Sequence, residues 1–318
     1  MPHRSTAEED IPGALRRHPQ GEMPPERASF GKGRLRSAMR FLCRTAAAGA
    51  VLFVASFALL ETKAGFTKIV DWGLYEIEPS CTLCDRLPEA SAVDLIAHAG
   101  GEIDGFTYTN SREALAASLA GGFRFIELDL RRTLDNRYFA AHRVKEFNAM
   151  TGHPEQFEIP PTASDVRERT IDGKYTPILL EDLVPVFENH PERVLVTDKA
   201  NRYRKLLDEF PLPDQLLVEV RNVDQYVAAK LAGVPNVAVD TADPELVRRY
   251  GIELVVVSAD LPAEALKALR DTGAKVLLST YDNCNDIPAS ARELALLAYV
   301  DTCSTGRVET KEADPHRI

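Results

Sequence analysis

The chain has 318 residues, 45% hydrophobic and 27% charged, which is enough for one large domain or two ordinary ones. Its net charge is −10, but residues 1–44 carry nine Arg and Lys against five Asp and Glu, so they contribute +4 and the remainder −14. An acidic remainder argues against nucleic acid as a partner, and five cysteines are too few for a disulfide-based scaffold.

The amino-terminal 61 residues divide into a polar and an apolar segment. Residues 1–38 are rich in Pro, Arg, Glu and Gly, which predicts a disordered tail. Residues 39–61 contain an uncharged stretch, 45–60, which with 41–43 reaches the ~20 residues of a membrane span. Arg44 would lie near the end of that helix, where its side chain reaches the headgroups. Basic residues precede the stretch, so the positive-inside rule predicts a signal anchor with a cytoplasmic tail and the rest of the chain outside.

Two other interpretations of the apolar segment stay open. It resembles a secretory signal with a long basic leader, cut after Ala64, which would release a secreted protein. It could also be a buried core helix, although charges flank it on both sides. Both the signal anchor and the cleaved signal would export the folded part to the periplasmic or extracellular face.

Residues 62–91 look like a juxtamembrane connector and contain Cys81 and Cys84 in a C-x-x-C pattern. In a reducing cytosol this pattern would indicate zinc or redox chemistry. For an exported chain without a second ligand pair, it favours a short structural disulfide. Cys284 and Cys303 are candidates for a second disulfide, and Cys43 lies within the predicted span.

From Val93 onward, apolar runs of strand length alternate with helical patterns. Strands are predicted at 93–98, 123–129, 138–142, 193–198, 215–220, 236–239, 253–257 and 275–280, with a further apolar run at 298–301. Helices are predicted from Ser111 to the Gly121-Gly122 pair and at 181–188, 223–231, 244–250 and 262–271. Such alternation predicts an α/β fold with a parallel sheet, best a TIM (β/α)8 barrel over residues 92–310. A doubly wound open sheet is the alternative, but no glycine-rich nucleotide-binding motif supports it.

Titratable residues end three of the predicted strands: His98, the pair Glu127 and Asp129, and His142. Glu127 and Asp129 are two residues apart, so their side chains leave a strand on the same face. Two carboxylates in an otherwise apolar strand are costly to bury unless a cation compensates them, and oxygen ligands suit Mg²⁺ or Ca²⁺. Two histidines beside them could accept and donate protons.

An ordered series of short motifs resembles the glycerophosphodiester phosphodiesterase family, whose H-R-G motif is similar to His98-Ala99-Gly100. The family's E-N-T resembles Thr109-Asn110-Ser111, and its E-L-D is intact at Glu127-Leu128-Asp129. Five further segments resemble family motifs in the same order. Thr133-Leu134-Asp135 resembles a T-x-D turn, His142-Arg143 resembles H-D, and Pro177–Leu183 resembles P-T-L-E-E. Asp198-Lys199 resembles the end of E-x-K, and Asp301-Thr302 resembles a closing T-D.

The resemblance implies a TIM-barrel enzyme that hydrolyses a phosphodiester with the help of one divalent cation, Mg²⁺ or Ca²⁺. It implies that Glu127, Asp129 and Asp198 hold the cation and that Lys199 holds a phosphate oxygen. His98 and His142 would then share the general acid and general base roles. The implied substrate is a small-molecule or lipid phosphodiester: a glycerophosphodiester, a lysophospholipid or an envelope glycan–phosphate. The attacking group would be water or a neighbouring hydroxyl of the substrate, the latter giving a cyclic phosphate.

The chain departs from the family pattern at three positions. Ala99 replaces the arginine that would grip the phosphate, Thr109 replaces a carboxylate, and Asp198 is one methylene shorter than the usual Glu. Arg131 or Arg143 would have to compensate for the arginine. These departures keep two alternatives open: an inactive barrel that binds an anionic headgroup or a protein partner, and a metal-free lyase that uses only the histidines. Asp198-Lys199 is also compatible with a simple strand-end ion pair.

Overall fold

The computed structural model describes residues 65–73, 75–87, 92–154, 158–304 and 307–309. Eight parallel strands form a closed barrel, because the first strand pairs with both the second and the last. These strands are β1 (Ala92–Ala97), β2 (Phe125–Glu127), β5 (Val194–Thr197), β6 (Leu216–Val220), β7 (Asn236–Asp240), β8 (Leu254–Ser258), β9 (Lys275–Asn283) and β10 (Leu297–Thr302). The predicted barrel is therefore confirmed, and the doubly wound open sheet is wrong.

One predicted barrel strand, 138–142, does not belong to the barrel. The chain leaves the barrel after Glu127 and forms a separate antiparallel hairpin of β3 (Leu130–Arg132) and β4 (Tyr138–Ala140). A tight turn causes this reversal: the amide of Asn136 donates to the Thr133 carbonyl at 3.0 Å, and Asn136 has a left-handed φ of 64°. The apolar run at 298–301 supplies the eighth barrel strand instead, as β10. A short strand, β11 (Arg307–Glu309), pairs antiparallel with the start of β1.

The described helices are α1 (Gly65–Asp71), α2 (Arg112–Ala120), α3 (Val144–Met150), α4 (Ala163–Glu168), α5 (Val184–Glu188), α6 (Tyr203–Glu209), α7 (Val223–Ala232), α8 (Pro244–Tyr250), α9 (Ala263–Arg270) and α10 (Ala289–Leu294). The five predicted helices are present, although 181–188 begins as a 3₁₀ turn, Leu180–Leu183, before α5. Ser111 caps α2 by accepting from the Ala114 amide at 3.2 Å. Helices α3 and α4 and the β3–β4 hairpin form an insertion between β2 and β5 with its own small core around Phe139 and Phe147.

Alternate side chains of the barrel strands point inwards and outwards, so the barrel has two apolar layers. The interior layer includes Ile96, Phe125 and Leu217, and the outward layer packs against the helices. Cys81, Leu83 and Leu87 join the interior layer and close the barrel at the amino ends of its strands. There the Asn236 side chain accepts from the Leu83 amide at 2.9 Å. This part of the predicted connector is thus a plug in the barrel.

Both predicted disulfides are present, Cys81–Cys84 and Cys284–Cys303. The first closes the turn of the barrel plug, and the second joins the region after β9 to the region after β10. The predicted tail, 1–38, and the predicted span, 39–61, lie outside the described residues. Among the residues that are described, no helix has the length and apolarity that crossing a bilayer requires.

Candidate active site

Three carboxylates, which we call the acid cluster, meet at the carboxyl ends of two adjacent strands. The carboxyl ends of all eight strands form the face that we call the mouth of the barrel. Glu127 is the last residue of β2, Asp129 follows two residues later, and Asp198 follows the neighbouring β5. One carboxylate oxygen of each lies within 4.8 Å of the others. Glu127 is 3% and Asp129 1% exposed. The structure thus brings together all three residues that the sequence suggested as metal ligands.

The acid cluster carries more negative charge than the residues around it neutralise. Burial, and then Asp129 and Asp198, raise the pKa of Glu127 well above its ordinary range. Burial also raises the pKa of Asp198, with Asp129 adding to the effect and Lys199 opposing it. Burial works in the same direction on Asp129, but Lys199 and Asn110 outweigh it and lower the pKa of that carboxyl. A hard divalent cation fits this all-oxygen set and would supply the missing positive charge.

Lys199 bridges two members of the cluster. Its ammonium contacts Asp129 and lies 2.7 Å from an oxygen of Asp198. Burial disfavours the ammonium, but these two carboxylates outweigh burial and raise the pKa of Lys199, which therefore stays protonated. The backbone of Lys199 has a left-handed φ of 59°. The predicted phosphate-binding lysine thus lies against the predicted metal ligands.

His98 follows β1 directly and is fixed by Asp301 of β10. Its Nδ1 lies 2.7 Å from Oδ1 of Asp301. A carboxylate only accepts, so Nδ1 carries the proton of this hydrogen bond, and in the neutral ring Nε2 keeps its lone pair. That Nε2 faces the acid cluster, 3.9 Å from Glu127 Oε2. His98 is therefore oriented as a proton acceptor beside the carboxylates.

The sequence predicted His142 at the end of a barrel strand, but in the structure it follows the β3–β4 hairpin. It follows β4, and its Nδ1 lies 2.7 Å from Oε2 of Glu146 in the first turn of α3. The guanidinium of Arg131 donates to the His142 carbonyl from Nε at 3.0 Å and from Nη2 at 2.6 Å. This contact commits Arg131 to holding the His142 backbone. Arg143 lies on the exterior, 64% exposed and 3.6 Å from Glu146.

The phenol ring of Tyr108 lies between the two histidines. Its centroid is 4.7 Å from that of His98 and 6.3 Å from that of His142, both in edge-on geometry. Its hydroxyl is 3.4 Å from the second oxygen of Asp301. Burial, together with Asp301, raises the pKa of Tyr108 to about 12, so the phenol stays protonated at neutral pH. Both histidines thus flank one side chain at the same mouth.

A polar cavity of about 280 Å³ adjoins the acid cluster at the ends of β5, β6 and β7. Asp198 and Lys199 line one side, and Glu219, Arg221 and Asp240 line much of the rest. The cavity offers hydrogen-bond donors and acceptors close to the carboxylates. Arg221 is the arginine among its lining residues. Ala99, at the position that resembles the arginine of H-R-G, donates its amide to Glu127 Oε2 at 2.8 Å.

Glu219 and Tyr299 make a hydrogen bond across the barrel interior. They belong to β6 and β10, which lie on opposite sides of the barrel, and the Tyr299 hydroxyl donates to Glu219 Oε2 at 2.6 Å. Burial raises the pKa of Glu219 to about 7, with Tyr299 opposing the shift and Asp198 adding to it. Beside Asp198 and Lys199 the barrel therefore holds a further carboxyl, whose pKa burial raises towards neutral pH.

The sequence indicated no role in the site for four residues: Tyr108, Asn110, Glu146 and Asp301. Asn110 and Asp301 do lie in two of the short motifs that resemble the family, but their contacts were not predicted. Asn110 directly precedes Ser111, which caps α2. The Asn110 side chain instead makes two hydrogen bonds with Asp129, donating to Oδ2 at 2.9 Å and accepting from its amide at 3.0 Å. The signal for Glu146 was its position four residues after His142, close enough in the chain for the start of α3 to bring the two side chains together.

No protein-family model and no curated protein sequence matches this chain. Solved structures do match its fold. A glycerophosphoryl diester phosphodiesterase from Parabacteroides distasonis superposes with a TM-score of 0.56 at 16% identity, over 72% of this chain and 91% of that one. A glycerophosphodiester phosphodiesterase from Thermotoga maritima gives a TM-score of 0.52 at 20% identity, over 66% of this chain and 94% of that one.

A phosphodiesterase from Oleispira antarctica, solved in complex with the product sn-glycerol-3-phosphate, is also similar. It has a TM-score of 0.53 at 16% identity, over 68% of this chain and 94% of that one. At such low identity the superposition concerns the backbone fold and not the side chains that carry a reaction. The chain therefore has the barrel fold of the glycerophosphodiester phosphodiesterases.

Proposed function

We propose that this protein is a metal-dependent phosphodiester hydrolase. The observation that carries the proposal is the convergence of three carboxylates and two carboxylate-oriented histidines at one barrel mouth. The fold it shares with solved glycerophosphodiester phosphodiesterases supports the same chemistry, as does the product complex of the Oleispira antarctica protein. In barrels of this type, reactive residues gather at the carboxyl ends of the strands.

Glu127, Asp129 and Asp198 would hold one divalent cation, Mg²⁺ or Ca²⁺. When bound, the cation supplies positive charge to the phosphoryl oxygens as negative charge builds on them. Lys199 remains protonated beside the same carboxylates and adds a second positive charge to that region. Arg221, on the wall of the adjoining cavity, provides a guanidinium at the mouth, where Ala99 provides none.

The two histidines would divide the proton transfers. His98 and His142 each direct Nδ1 to a carboxylate, which leaves Nε2 to exchange a proton with the substrate. One imidazole removes the proton of the attacking hydroxyl, either of water or of a neighbouring alcohol of the substrate. The other protonates the departing alkoxide. The substrate is a glycerophosphodiester, a lysophospholipid or an envelope glycan–phosphate, whose polar part the cavity beside Asp198 would accommodate.

We place this site outside the cytoplasm. The two disulfides support an oxidising compartment, and the basic residues ahead of the apolar stretch 45–60 support an anchor that leaves the barrel on the far side of the membrane.

Turnover of bis(p-nitrophenyl) phosphate by the full chain tests the proposed function. Wild type should act with Mg²⁺ or Ca²⁺ and lose its activity in EDTA, and Glu127→Gln should reduce kcat at least about 10³-fold, in the range of electrostatic contributions to catalysis. Glu209→Gln is the matched control, because it alters a buried carboxylate that pairs with Arg137 outside the site.

The outcomes separate the alternatives. Activity that persists in EDTA would favour a metal-free lyase. Cation binding without turnover of any diester would favour an inactive barrel that only binds its ligand. Equal activity in wild type and Glu127→Gln would refute the assignment of the acid cluster.

A further inference from the structure

The phenol ring of Tyr108 borders the space between the two histidines. Its centroid lies 4.7 Å from that of His98 and 6.3 Å from that of His142, so both imidazoles contact the same ring edge-on. In phosphoryl transfer the attacking and leaving oxygens lie on opposite sides of the phosphorus, roughly in line. If one histidine serves each oxygen, the phosphorus lies between the two imidazoles. A bound diester therefore lies against Tyr108.

The hydroxyl of Tyr108 is a hydrogen-bond donor with a weak partner. Its distance to Asp301 Oδ2 is 3.4 Å, longer than the about 2.5–3.0 Å that is usual between two hydrogen-bonded oxygens. Burial, followed by the charges of Asp301 and Asp129, raises the pKa of the phenol to about 12, so it keeps its proton. The side chain is nonetheless 41% exposed. The hydroxyl can therefore turn to a stronger acceptor that enters the mouth.

The chain on both sides of Tyr108 is held by polar contacts. Tyr108 has a left-handed φ of 62°, which costs energy for a large side chain and persists only where the surroundings impose it. Two residues later, the Asn110 side chain donates to Asp129 Oδ2 at 2.9 Å and accepts from the Asp129 amide at 3.0 Å. On the other side, Asp104 accepts from the Tyr175 hydroxyl at 3.1 Å. The position of Tyr108 is thus tied to a proposed metal ligand before any substrate binds.

The arginines near His142 are engaged by other groups. Arg131 donates from Nε and Nη2 to the His142 carbonyl. Arg143 is 64% exposed on the exterior, beside Glu146. The Tyr108 hydroxyl is therefore better placed than either guanidinium to donate into the space between the imidazoles.

We propose that Tyr108 binds the substrate directly, by donating a hydrogen bond from its hydroxyl to a non-bridging oxygen of the phosphodiester. This role rests on the proposed function. When the diester binds, the hydroxyl exchanges its long contact with Asp301 for a charge-assisted hydrogen bond, which is shorter and stronger. Asp301 keeps its hydrogen bond to His98 through its other carboxylate oxygen.

Tyr108→Phe tests the hydroxyl alone, because it keeps the ring against both imidazoles. With bis(p-nitrophenyl) phosphate at saturating Mg²⁺ or Ca²⁺, kcat/KM of the full chain should fall at least about tenfold, as expected for one hydrogen bond to a charged group, and the thermal unfolding midpoint should not change. Tyr250→Phe is the matched control: it removes a hydroxyl that donates to Asp71 at 3.0 Å, outside the site, and should leave kcat/KM unchanged. A smaller loss in Tyr108→Phe would overturn the proposal.

An Asp301→Asn background separates contact with the substrate from an effect through Asp301. If the hydroxyl bonds the substrate, adding Tyr108→Phe to Asp301→Asn should lower kcat/KM by at least about a further fivefold. If Tyr108 acts only by holding Asp301 and, through it, His98, the double variant should be as fast as Asp301→Asn alone. That result would overturn the proposal.

Titration with dimethyl phosphate measures the same contact without turnover, since its polar atoms are all phosphate oxygens. In Mg²⁺ its Kd should be at least about tenfold higher for Tyr108→Phe than for wild type. If wild type turns over no diester but this difference is found, the proposed function fails and the contact of Tyr108 with the phosphate stands. If wild type turns over the diester and both proteins have the same Kd, the contact is wrong and the proposed function stands. If wild type neither turns over a diester nor binds dimethyl phosphate, both fail.

Discussion

Nδ1 of His98 lies 2.7 Å from Oδ1 of Asp301, across the seam where the first and last strands of the barrel pair with each other. This hydrogen bond makes the orientation of a proposed catalytic base depend on closure of the barrel. The residues are 203 positions apart in the chain, so only the closed sheet brings them together. An open sheet would leave the imidazole without this partner.

Asp301→Asn should therefore act through His98. The amide oxygen of Asn can accept from Nδ1–H, but it carries no negative charge to stabilise the charged ring, and its NH2 group can instead donate to Nδ1 and favour the other tautomer. We therefore expect kcat to fall about 100-fold, at the lower end of general acid–base contributions, with KM little changed. Asp301→Glu should restore part of the rate. Steady-state kinetics with a soluble diester give both constants. A rise in KM at constant kcat would instead assign Asp301 to substrate binding.

Lys199→Met distinguishes a catalytic lysine from a strand-end ion pair. If Lys199 adds positive charge to the reacting phosphate, kcat/KM should fall at least 100-fold at saturating cation, and Lys199→Arg should recover part of the loss. If the lysine only neutralises Asp129 and Asp198, bound cation takes over that role and turnover should stay close to wild type. Rates measured over a range of Mg²⁺ concentrations separate the two cases.

Glu219→Gln should change how stability depends on pH. Burial raises the pKa of Glu219 to about 7, above its ordinary 4.5, so its protonated form favours the folded state. That contribution is complete below about pH 4.5 and is lost as pH rises through about 7. The Gln variant retains an uncharged partner for Tyr299, so in EDTA it should gain stability relative to wild type over this window, by at most about 3 kcal/mol.

Thermal and urea unfolding between pH 4 and 8 measure this difference. The exposed Glu76→Gln serves as the control and should follow the wild-type curve. A constant difference between Glu219→Gln and wild type across the whole pH range would show that Glu219 does not titrate in this window.

The two disulfides should contribute unequally to stability. Cys284 and Cys303 are 19 positions apart, and loop-closure entropy predicts a loss of about 3 kcal/mol for Cys284→Ser/Cys303→Ser. Cys81–Cys84 spans three residues, so its removal should cost less, about 1.5 kcal/mol from loop closure. Urea unfolding of both double variants gives the comparison. A larger loss at Cys81–Cys84 would show that the barrel plug depends on its disulfide beyond the entropy of closure.

The sequence predicted the barrel well because its strands are short, almost wholly apolar and separated by helices with clear ends. It failed where pairing depends on a turn. Residues 138–142 have the composition of a barrel strand, but the turn at Thr133–Asn136 directs them to β3. The hydrophobic periodicity of a strand indicates which of its side chains are buried, but it does not indicate which other strand pairs with it.

The site was predictable where residues follow barrel strands and unpredictable where partners come from distant segments. Glu127, Asp129 and Asp198 could be recognised because carboxylates at the ends of apolar strands are unusual. The hydrogen bonds of Asp301 to His98 and of Asn110 to Asp129 span 203 and 19 positions, and short polar residues carry no periodic signal that indicates such contacts.

Isothermal titration of the metal-free full chain with Mg²⁺ and with Ca²⁺ tests the acid cluster most directly. The arrangement of Glu127, Asp129 and Asp198 predicts one site per chain for at least one of these cations, weakened at least tenfold by Glu127→Gln and by Asp198→Asn but not by Glu209→Gln. No binding at millimolar cation, or equal binding by wild type and both cluster variants, would contradict the account.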